Sequence, residues 1–250
     1  MPRVAARSYL RVVALADSLA LPRSEGGERV AWEETWPSEL QRLLGEVRPG
    51  AQVVNCGRRA RTVDSLLAED FFEHVVLTEP SDVVVQVGIV DCAPRVLSRR
   101  DQRVLNSRLV PERLRRWVIE RRRRARRALV ARDPLRKVYT PPREFAEQFS
   151  EFLKRTAELE TSPRLIVVPI LGRREVLDAK SPGFSKNIDT YNEALQACCQ
   201  RSEAVWLGVD SIEGGIPVET AFCYDGYHLT KEGNGNLARI LAQTLLDPCR

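Results

Sequence analysis

Five short runs of apolar, mostly β-branched residues are spread along the chain, and each gives way to polar or turn-forming residues. They predict strands at 10–15, 52–55, 82–87, 165–170 and 204–209. Strands that are apolar throughout need cover on both faces, which is typical of a parallel sheet. The segments between the strands should therefore form the covering helices.

Apolar residues at helical spacing predict helices at 36–47, 62–77, 111–130, 145–159, 188–199 and 231–246. In the last of these, Leu237, Ile240, Leu241 and Leu245 share one face. Alternating strands and helices predict an α/β fold with a doubly wound, parallel, five-stranded sheet in an α/β/α sandwich of the flavodoxin-like kind. With 250 residues, of which 43% are hydrophobic, we expect one domain spanning 1–250.

The connection after the third strand is longer than a crossover helix requires, and its part at 99–143 is rich in arginine. We predict a helical, Arg-rich insertion here, at the sheet edge where a site would lie and able to cover it. Its basic face has three interpretations: a solvated surface, a site for an anionic glycan, phosphorylated sugar, carrier protein or membrane surface, or a nucleic-acid site. Nucleic acid is not expected, because Trp117 is the only aromatic residue in 111–130.

Composition narrows the function classes further. The chain begins without the apolar run of a signal peptide and has no run long enough to span a membrane, so we expect a cytoplasmic protein. Its six cysteines lack the spacing of zinc sites, which predicts reduced thiols and no metal.

Polar residues follow several predicted strands, where ligands bind in parallel α/β sheets. Asp17-Ser18 follows the first strand, and Asp225 stands three residues before His228 ahead of the last helix. That spacing lets the carboxylate orient the imidazole toward a substrate. Taken singly, Asp17-Ser18 is as well explained as a helix cap, and His74 is expected at the surface.

Together these blocks resemble the SGNH, or GDSL-like, hydrolase family across nearly the whole chain. The family's G-D-S-L reads Ala16-Asp17-Ser18-Leu19, and its D-x-x-H is unchanged at 225–228. The resemblance implies a triad of Ser18, His228 and Asp225, and an oxyanion hole formed by the N–H groups of Ser18 and Gly57. It implies no metal and no cofactor. We expect Asp17, Asp91 and Arg95 to bind substrate.

The third block departs from the family's G-x-N-D, since it reads Gly88-Ile89-Val90-Asp91. Val90 replaces an asparagine that donates to the oxyanion, and such a loss costs roughly 2.7–4 kcal/mol of transition-state stabilisation. Another donor such as Arg95 could replace it, backbone amides could suffice, or catalysis could be lost. The stretch 88–95 also resembles a subgroup associated with bacterial glycan modification.

The resemblance implies a serine esterase or deacylase that acts on an O- or N-acylated small molecule or carbohydrate. Two alternatives stay open: an acyltransferase with the same triad, or a catalytically impaired glycan-binding relative. An anionic substrate and peripheral membrane contact are also open, as is the oligomeric state.

Overall fold

The computed structural model describes residues 9–24, 28–68, 70–95, 104, 105, 107, 110–124, 138–213 and 215–247. Its strands are β1 (Arg11–Ala16), β2 (Gln52–Asn55), β3 (Asp82–Gln86), β4 (Arg164–Val167) and β5 (Val205–Trp206). They form one five-stranded sheet in the order β2-β1-β3-β4-β5, and all neighbours are parallel. The predicted fold class is confirmed.

The described helices are α1 (Trp36–Val47), α2 (Ile89–Cys92), α3 (Glu112–Arg124), α4 (Pro142–Ala157), α5 (Arg174–Lys180), α6 (Phe184–Gln200), α7 (Val209–Glu213), α8 (Val218–Ala221) and α9 (Lys231–Leu246). One core cluster joins Val13 and Leu15 of β1 to α4 and α6. The other joins Val12 and Ala14 to α1 and α9. Alternate residues of one strand therefore enter opposite layers, as the apolar runs predicted.

The predicted helix at 62–77 is wrong in type. The chain forms a 3-10 helix at Val63–Leu66 and a π-helix at Phe71–Val76. The Val63 N–H donates to the Asp91 carboxylate, and the Ser65 hydroxyl donates to the Thr62 carbonyl. These side-chain bonds compete with regular helical bonding at the start of the segment.

The structure bears on only part of the predicted Arg-rich insertion. Helix α3 accounts for 112–124 of the helix predicted at 111–130, and 125–130 lies outside the described residues. Leu114 and Trp117 of α3 are exposed. Its role as a cover over the site stays a prediction.

Five cysteines are free thiols: Cys56, Cys92, Cys198, Cys199 and Cys223. Cys249 lies outside the described residues. Burial raises the pKa of the Cys56 thiol to about 11, so this half-buried cysteine stays protonated at neutral pH. Among the helices that the structure describes, none has both the length and the apolar character to cross a bilayer.

The strand order places a crevice at the carboxyl ends of β1 and β3. From β1 the chain goes to β2 on one side and later to β3 on the other, so the connecting segments diverge at this point. Such a switch in direction leaves a gap where ligands bind in doubly wound folds. The residues that follow β1, β2 and β3 therefore form the candidate site.

Candidate active site

Ser18 is held in a tight turn directly after β1. The Asp17 carboxylate accepts a hydrogen bond from the Leu19 N–H at 2.9 Å and so caps the 3-10 helix Ser18–Ala20. The Asp17 N–H donates to the Gln86 carbonyl of β3 at 3.2 Å. The cap and a nucleophile position are thus compatible, because Asp17 supplies the cap and leaves the Ser18 hydroxyl available.

His228 stands over Ser18 and is oriented by Asp225. The His228 Nε2 lies 3.2 Å from the Ser18 Oγ, and its Nδ1 lies 2.6 Å from the Asp225 Oδ2. The other carboxylate oxygen accepts the backbone N–H groups of Tyr227 at 3.2 Å and His228 at 3.0 Å. With a proton on Nδ1 toward the carboxylate, Nε2 is free to accept the Ser18 proton.

A left-handed glycine makes this turn. Gly226 has φ +84°, and a Cβ there would lie 2.9 Å from the Val176 side chain. Its carbonyl accepts the Arg173 N–H at 2.6 Å. The turn between Asp225 and His228 therefore depends on glycine for both its conformation and its close packing.

Arg23 is a member of the site that the sequence analysis missed. Its Nη1 contacts both the Asp225 Oδ2 and the His228 Nδ1. Burial opposes ionisation of Asp225, but hydrogen bonds from His228 and Arg23 outweigh it and hold the pKa of this carboxyl well below its usual range. Arg23 is 202 positions from Asp225 in the chain, and no local motif marks it.

Gly57 does not occupy the predicted oxyanion position. Its N–H already donates to the Asn55 Oδ1 at 2.8 Å, and it lines neither of the pockets beside Ser18. A Cβ at this position would approach the Asn55 side chain to 2.9 Å and Leu21 to 3.1 Å. The glycine therefore serves the packing of the loop after β2, which corrects the expectation.

Ala60 occupies the place next to Ser18 instead. It lines both pockets beside Ser18 and has φ +57°, a left-handed conformation unusual for alanine. Within the described part of the chain, neither the Ala60 N–H nor the Ser18 N–H has a hydrogen-bond acceptor. Neither amide is therefore engaged in another hydrogen bond, and both residues line the pockets.

Buried Arg61 anchors the loop that carries Ala60. Its guanidinium donates to the Cys56 carbonyl and lies 3.2 Å from the Asp70 carboxylate, which is also buried. An ion pair of this kind is costly to break, because the remaining partner would stay buried and uncompensated. The ion pair between Arg61 and Asp70 thus fixes the chain directly after Ala60.

The structure contradicts substrate binding by Asp17 and Asp91, because both are fully buried. The Asp91 carboxylate accepts from the Val63 N–H at 3.1 Å and from the Thr140 hydroxyl at 2.6 Å. Burial, the largest cause, raises the pKa of Asp17 to about 7. These carboxyl groups stabilise the loops beneath the site.

Arg95 and Val90 do line the larger pocket beside Ser18. The Arg95 guanidinium donates to the Val90 carbonyl at 3.2 Å and lies over the Tyr139 ring at 4.4 Å. Val90 lines this pocket with an apolar side chain, and the loss of an oxyanion donor at this position stays a prediction.

Two pockets meet at Ser18 and Ala60. The larger has a volume of about 520 Å³ and extends toward α2, α5 and α6. The smaller, of about 170 Å³, is lined by His228, Arg23 and Arg59 among others. His74 lines neither pocket. In the described ranges, no group of three or more His, Cys, Asp or Glu side chains is placed to hold a metal ion.

Comparison with known proteins gives matches among solved structures. No protein-family profile and no curated protein matches the sequence. A protein described as a GDSL-like lipase from Parabacteroides merdae aligns with 98% of this chain and 100% of its own, at 13% identity and a TM-score of 0.64. A lipase/acylhydrolase from Enterococcus faecalis aligns with 94% of this chain and 95% of its own, at 13% identity and a TM-score of 0.62.

A catalytic mutant of an acetylxylan esterase from Geobacillus stearothermophilus is similar as well. It aligns with 95% of this chain and 94% of its own, at 16% identity and a TM-score of 0.60. At these identities the matches show a shared fold. The resemblance to SGNH or GDSL-like hydrolases is thereby confirmed at the level of the fold.

Proposed function

We propose that this chain is a serine ester hydrolase of the SGNH or GDSL type. One observation carries the proposal: the Ser18 Oγ lies 3.2 Å from the His228 Nε2, whose other ring nitrogen lies 2.6 Å from Asp225. A serine within hydrogen-bond reach of a histidine that a carboxylate orients is the arrangement that activates a hydroxyl for acyl transfer.

The reaction begins when His228 Nε2 takes the Ser18 proton and the Ser18 Oγ attacks the ester carbonyl carbon. The oxyanion that forms is stabilised by the N–H groups of Ser18 and Ala60. Collapse of this intermediate breaks the bond to the alcohol, which leaves with the proton from His228. Water, deprotonated by His228, then attacks the acyl carbon; the bond to the Ser18 Oγ breaks, and His228 returns the proton to Ser18 as the acid is released.

The similar structures agree with these roles. Catalytic mutants of the Geobacillus stearothermophilus acetylxylan esterase replace a serine, a histidine and an aspartate, and the last two are three residues apart, as are Asp225 and His228. We extend the proposal to an acylated small molecule or carbohydrate as substrate and to a cytoplasmic location. An anionic group on the substrate is favoured by exposed Arg59, which lines the smaller pocket.

A catalytically impaired, glycan-binding protein is the second candidate. Val90, in place of a side-chain amide, is the observation that favours it. Against it stands the complete chain of contacts from Asp225 through His228 to Ser18, because a binding protein has no need of an activated hydroxyl. An acyltransferase uses the same contacts and differs only in the acceptor.

The experiment is hydrolysis of p-nitrophenyl acetate and butyrate by wild type, Ser18→Ala and Ser202→Ala. Ser202 lies just before β5, at the amino ends of the strands and thus away from the candidate site, and serves as the matched control. We expect Ser18→Ala to abolish turnover and Ser202→Ala to leave it unchanged. Turnover that survives Ser18→Ala would refute the proposal, and product formed only when an alcohol acceptor is added would identify a transferase.

A further inference from the structure

The two pockets that meet at Ser18 differ in size and chemistry. The larger, about 520 Å³, has a wall of apolar side chains: Ile89, Val90, Ala93, Pro94, Leu177 and Phe184. The smaller, about 170 Å³, contains two arginines, Arg23 and Arg59. An ester bound at Ser18 must place its acyl group in one pocket and its alcohol in the other.

The position of His228 decides which part enters which pocket. On the proposed function, the His228 Nε2 must deliver a proton to the alcohol oxygen as it leaves, so the alcohol lies on the histidine side. His228 lines the smaller pocket and not the larger one. The larger pocket therefore receives the acyl group.

The larger pocket is far too spacious for an acetyl group. Beyond the carbonyl carbon, acetyl adds one methyl group, which is on the order of one water molecule's share of liquid volume, about 30 Å³. The pocket volume of about 520 Å³ lies in the range of sites that enclose whole small ligands. A short acyl group would leave most of the apolar wall in contact with water.

The two cations that line this pocket, Arg95 and Lys180, each contact neighbouring groups of the chain. Arg95 lies over the Tyr139 ring and donates to the Val90 carbonyl. Exposed Lys180 has its Nζ 3.5 Å from the Tyr224 carbonyl. Most of the remaining lining is polar and includes the buried Ser181 hydroxyl, so the apolar side chains form one wall of the pocket and not its whole surface.

We propose that the substrate of this site is an ester of an apolar acyl group of about six carbons or more, bound between α2 and the α5–α6 turn. Val90 is then part of the acyl pocket as well as a missing oxyanion donor. The inference rests on the proposed function, because it uses Ser18 and His228 to orient the ester.

The test is a series of p-nitrophenyl esters with acetyl, butyryl and hexanoyl groups, so that the leaving group stays constant. Each methylene moved from water into an apolar wall contributes about fourfold to binding. We expect kcat/KM for hexanoate to exceed that for acetate by at least tenfold.

Ala93→Phe fills the proposed acyl pocket, and its readout is the hexanoate-to-acetate ratio of kcat/KM, which should fall at least fivefold. Ala93→Val is a smaller step in the same direction and should lower the ratio less. Ala157→Phe is the control and should keep the wild-type ratio. Ala157 is exposed at the end of α4, at the amino ends of the strands and thus away from the pocket.

The outcomes separate the two proposals. Ser18-dependent turnover with acetate equal to or better than hexanoate would overturn the acyl-pocket inference and leave the esterase proposal standing. A ratio that Ala93→Phe and Ala93→Val leave unchanged would also overturn it, because the longer chain would then bind elsewhere. No Ser18-dependent turnover of any ester would overturn both.

Discussion

The two sides of Ser18 are built in different ways. On the base side, Arg23, Asp225 and His228 are joined by charged hydrogen bonds, and two backbone N–H groups fix the remaining carboxylate oxygen. On the oxyanion side, Ala60 and the apolar Val90 line the larger pocket beside Ser18. The base side is thus rich in polar contacts, whereas on the oxyanion side the N–H groups of Ser18 and Ala60 are the donors we propose among the described residues.

The pKa of a buried carboxyl group is also shifted in opposite directions on the two sides. Hydrogen bonds from His228 and Arg23 keep Asp225 ionised, so its pKa lies far below the usual range. Burial instead raises the pKa of Asp17 to about 7, because the hydrogen bond from the Leu19 N–H and the charge of Arg61 do not offset the desolvation. The charged contacts of His228 and Asp225 support proton transfer, so we expect oxyanion stabilisation to limit the rate.

The largest expected effect comes from a substitution on the base side, at Asp225. Asp225→Asn removes the acceptor that fixes the His228 tautomer, so kcat for p-nitrophenyl butyrate should fall by roughly 10⁴-fold. The steady-state rate and the fluorescence-detected unfolding curve are measured together. A folded variant that keeps more than a tenth of the activity would show that Asp225 does not orient His228.

The next effect concerns stability on the oxyanion side. Asp17 has a pKa of about 7 when folded and an ordinary value of 3.8. The contribution of Asp17 to the free energy of unfolding is complete below pH 4 and is lost as pH rises to about 7. The reason is that this carboxyl group ionises at lower pH in the unfolded chain than in the folded one. Relative to Asp17→Asn, wild type should lose on the order of 3 kcal/mol of unfolding free energy between pH 4 and pH 8.

Urea unfolding across this pH range measures that loss for both proteins. Asp225 does not obscure the result, because its lowered pKa makes its own contribution to stability disappear only in more acidic solution. A difference between wild type and Asp17→Asn that stays constant with pH would contradict the raised pKa.

A smaller effect should come from supplying the missing donor. Val90→Asn places an amide in the pocket wall beside Ser18, and we expect kcat for p-nitrophenyl acetate to rise at least about tenfold, within the range that one oxyanion donor supplies. Val90→Leu has nearly the same shape as the asparagine variant without the amide and should give no gain. An equal response of both variants would indicate that a donor such as Arg95 already serves the oxyanion.

The smallest effect concerns charge at the alcohol pocket. Exposed Arg59 should favour the hexanoyl ester of glycerol 3-phosphate over that of glycerol by about threefold at low salt, and high salt should remove the preference. Arg59→Gln should remove it as well. Arg48→Gln, ahead of β2 at the opposite edge of the sheet, is the matched control. A preference that persists in Arg59→Gln would exclude this arginine as its source.

Some features of the fold and of the site follow from local sequence patterns, and others do not. The strands and α9 were predictable because apolar runs and helical spacing follow directly from burial on both faces of the sheet. Asp225 and His228 were predictable because they lie three residues apart and one hydrogen-bonded turn joins them. Local spacing was sufficient for these features.

Arg23, Gly57 and Ala60 show where such reasoning fails. Arg23 reaches Asp225 only through the folding of distant segments. A glycine after β2 was a reasonable oxyanion donor, but the Asn55 side chain takes its N–H, and the left-handed position falls on an alanine. Side-chain capture of a backbone amide and a strained alanine leave no pattern in the sequence.

The most direct test of the central claim is mass spectrometry of the protein treated with a fluorophosphonate, followed by peptide mapping. We expect one adduct per chain, located on Ser18, formed much more slowly by His228→Ala and absent in Ser18→Ala. An untouched Ser18 in folded wild-type protein, or an adduct that survives Ser18→Ala, would contradict the account.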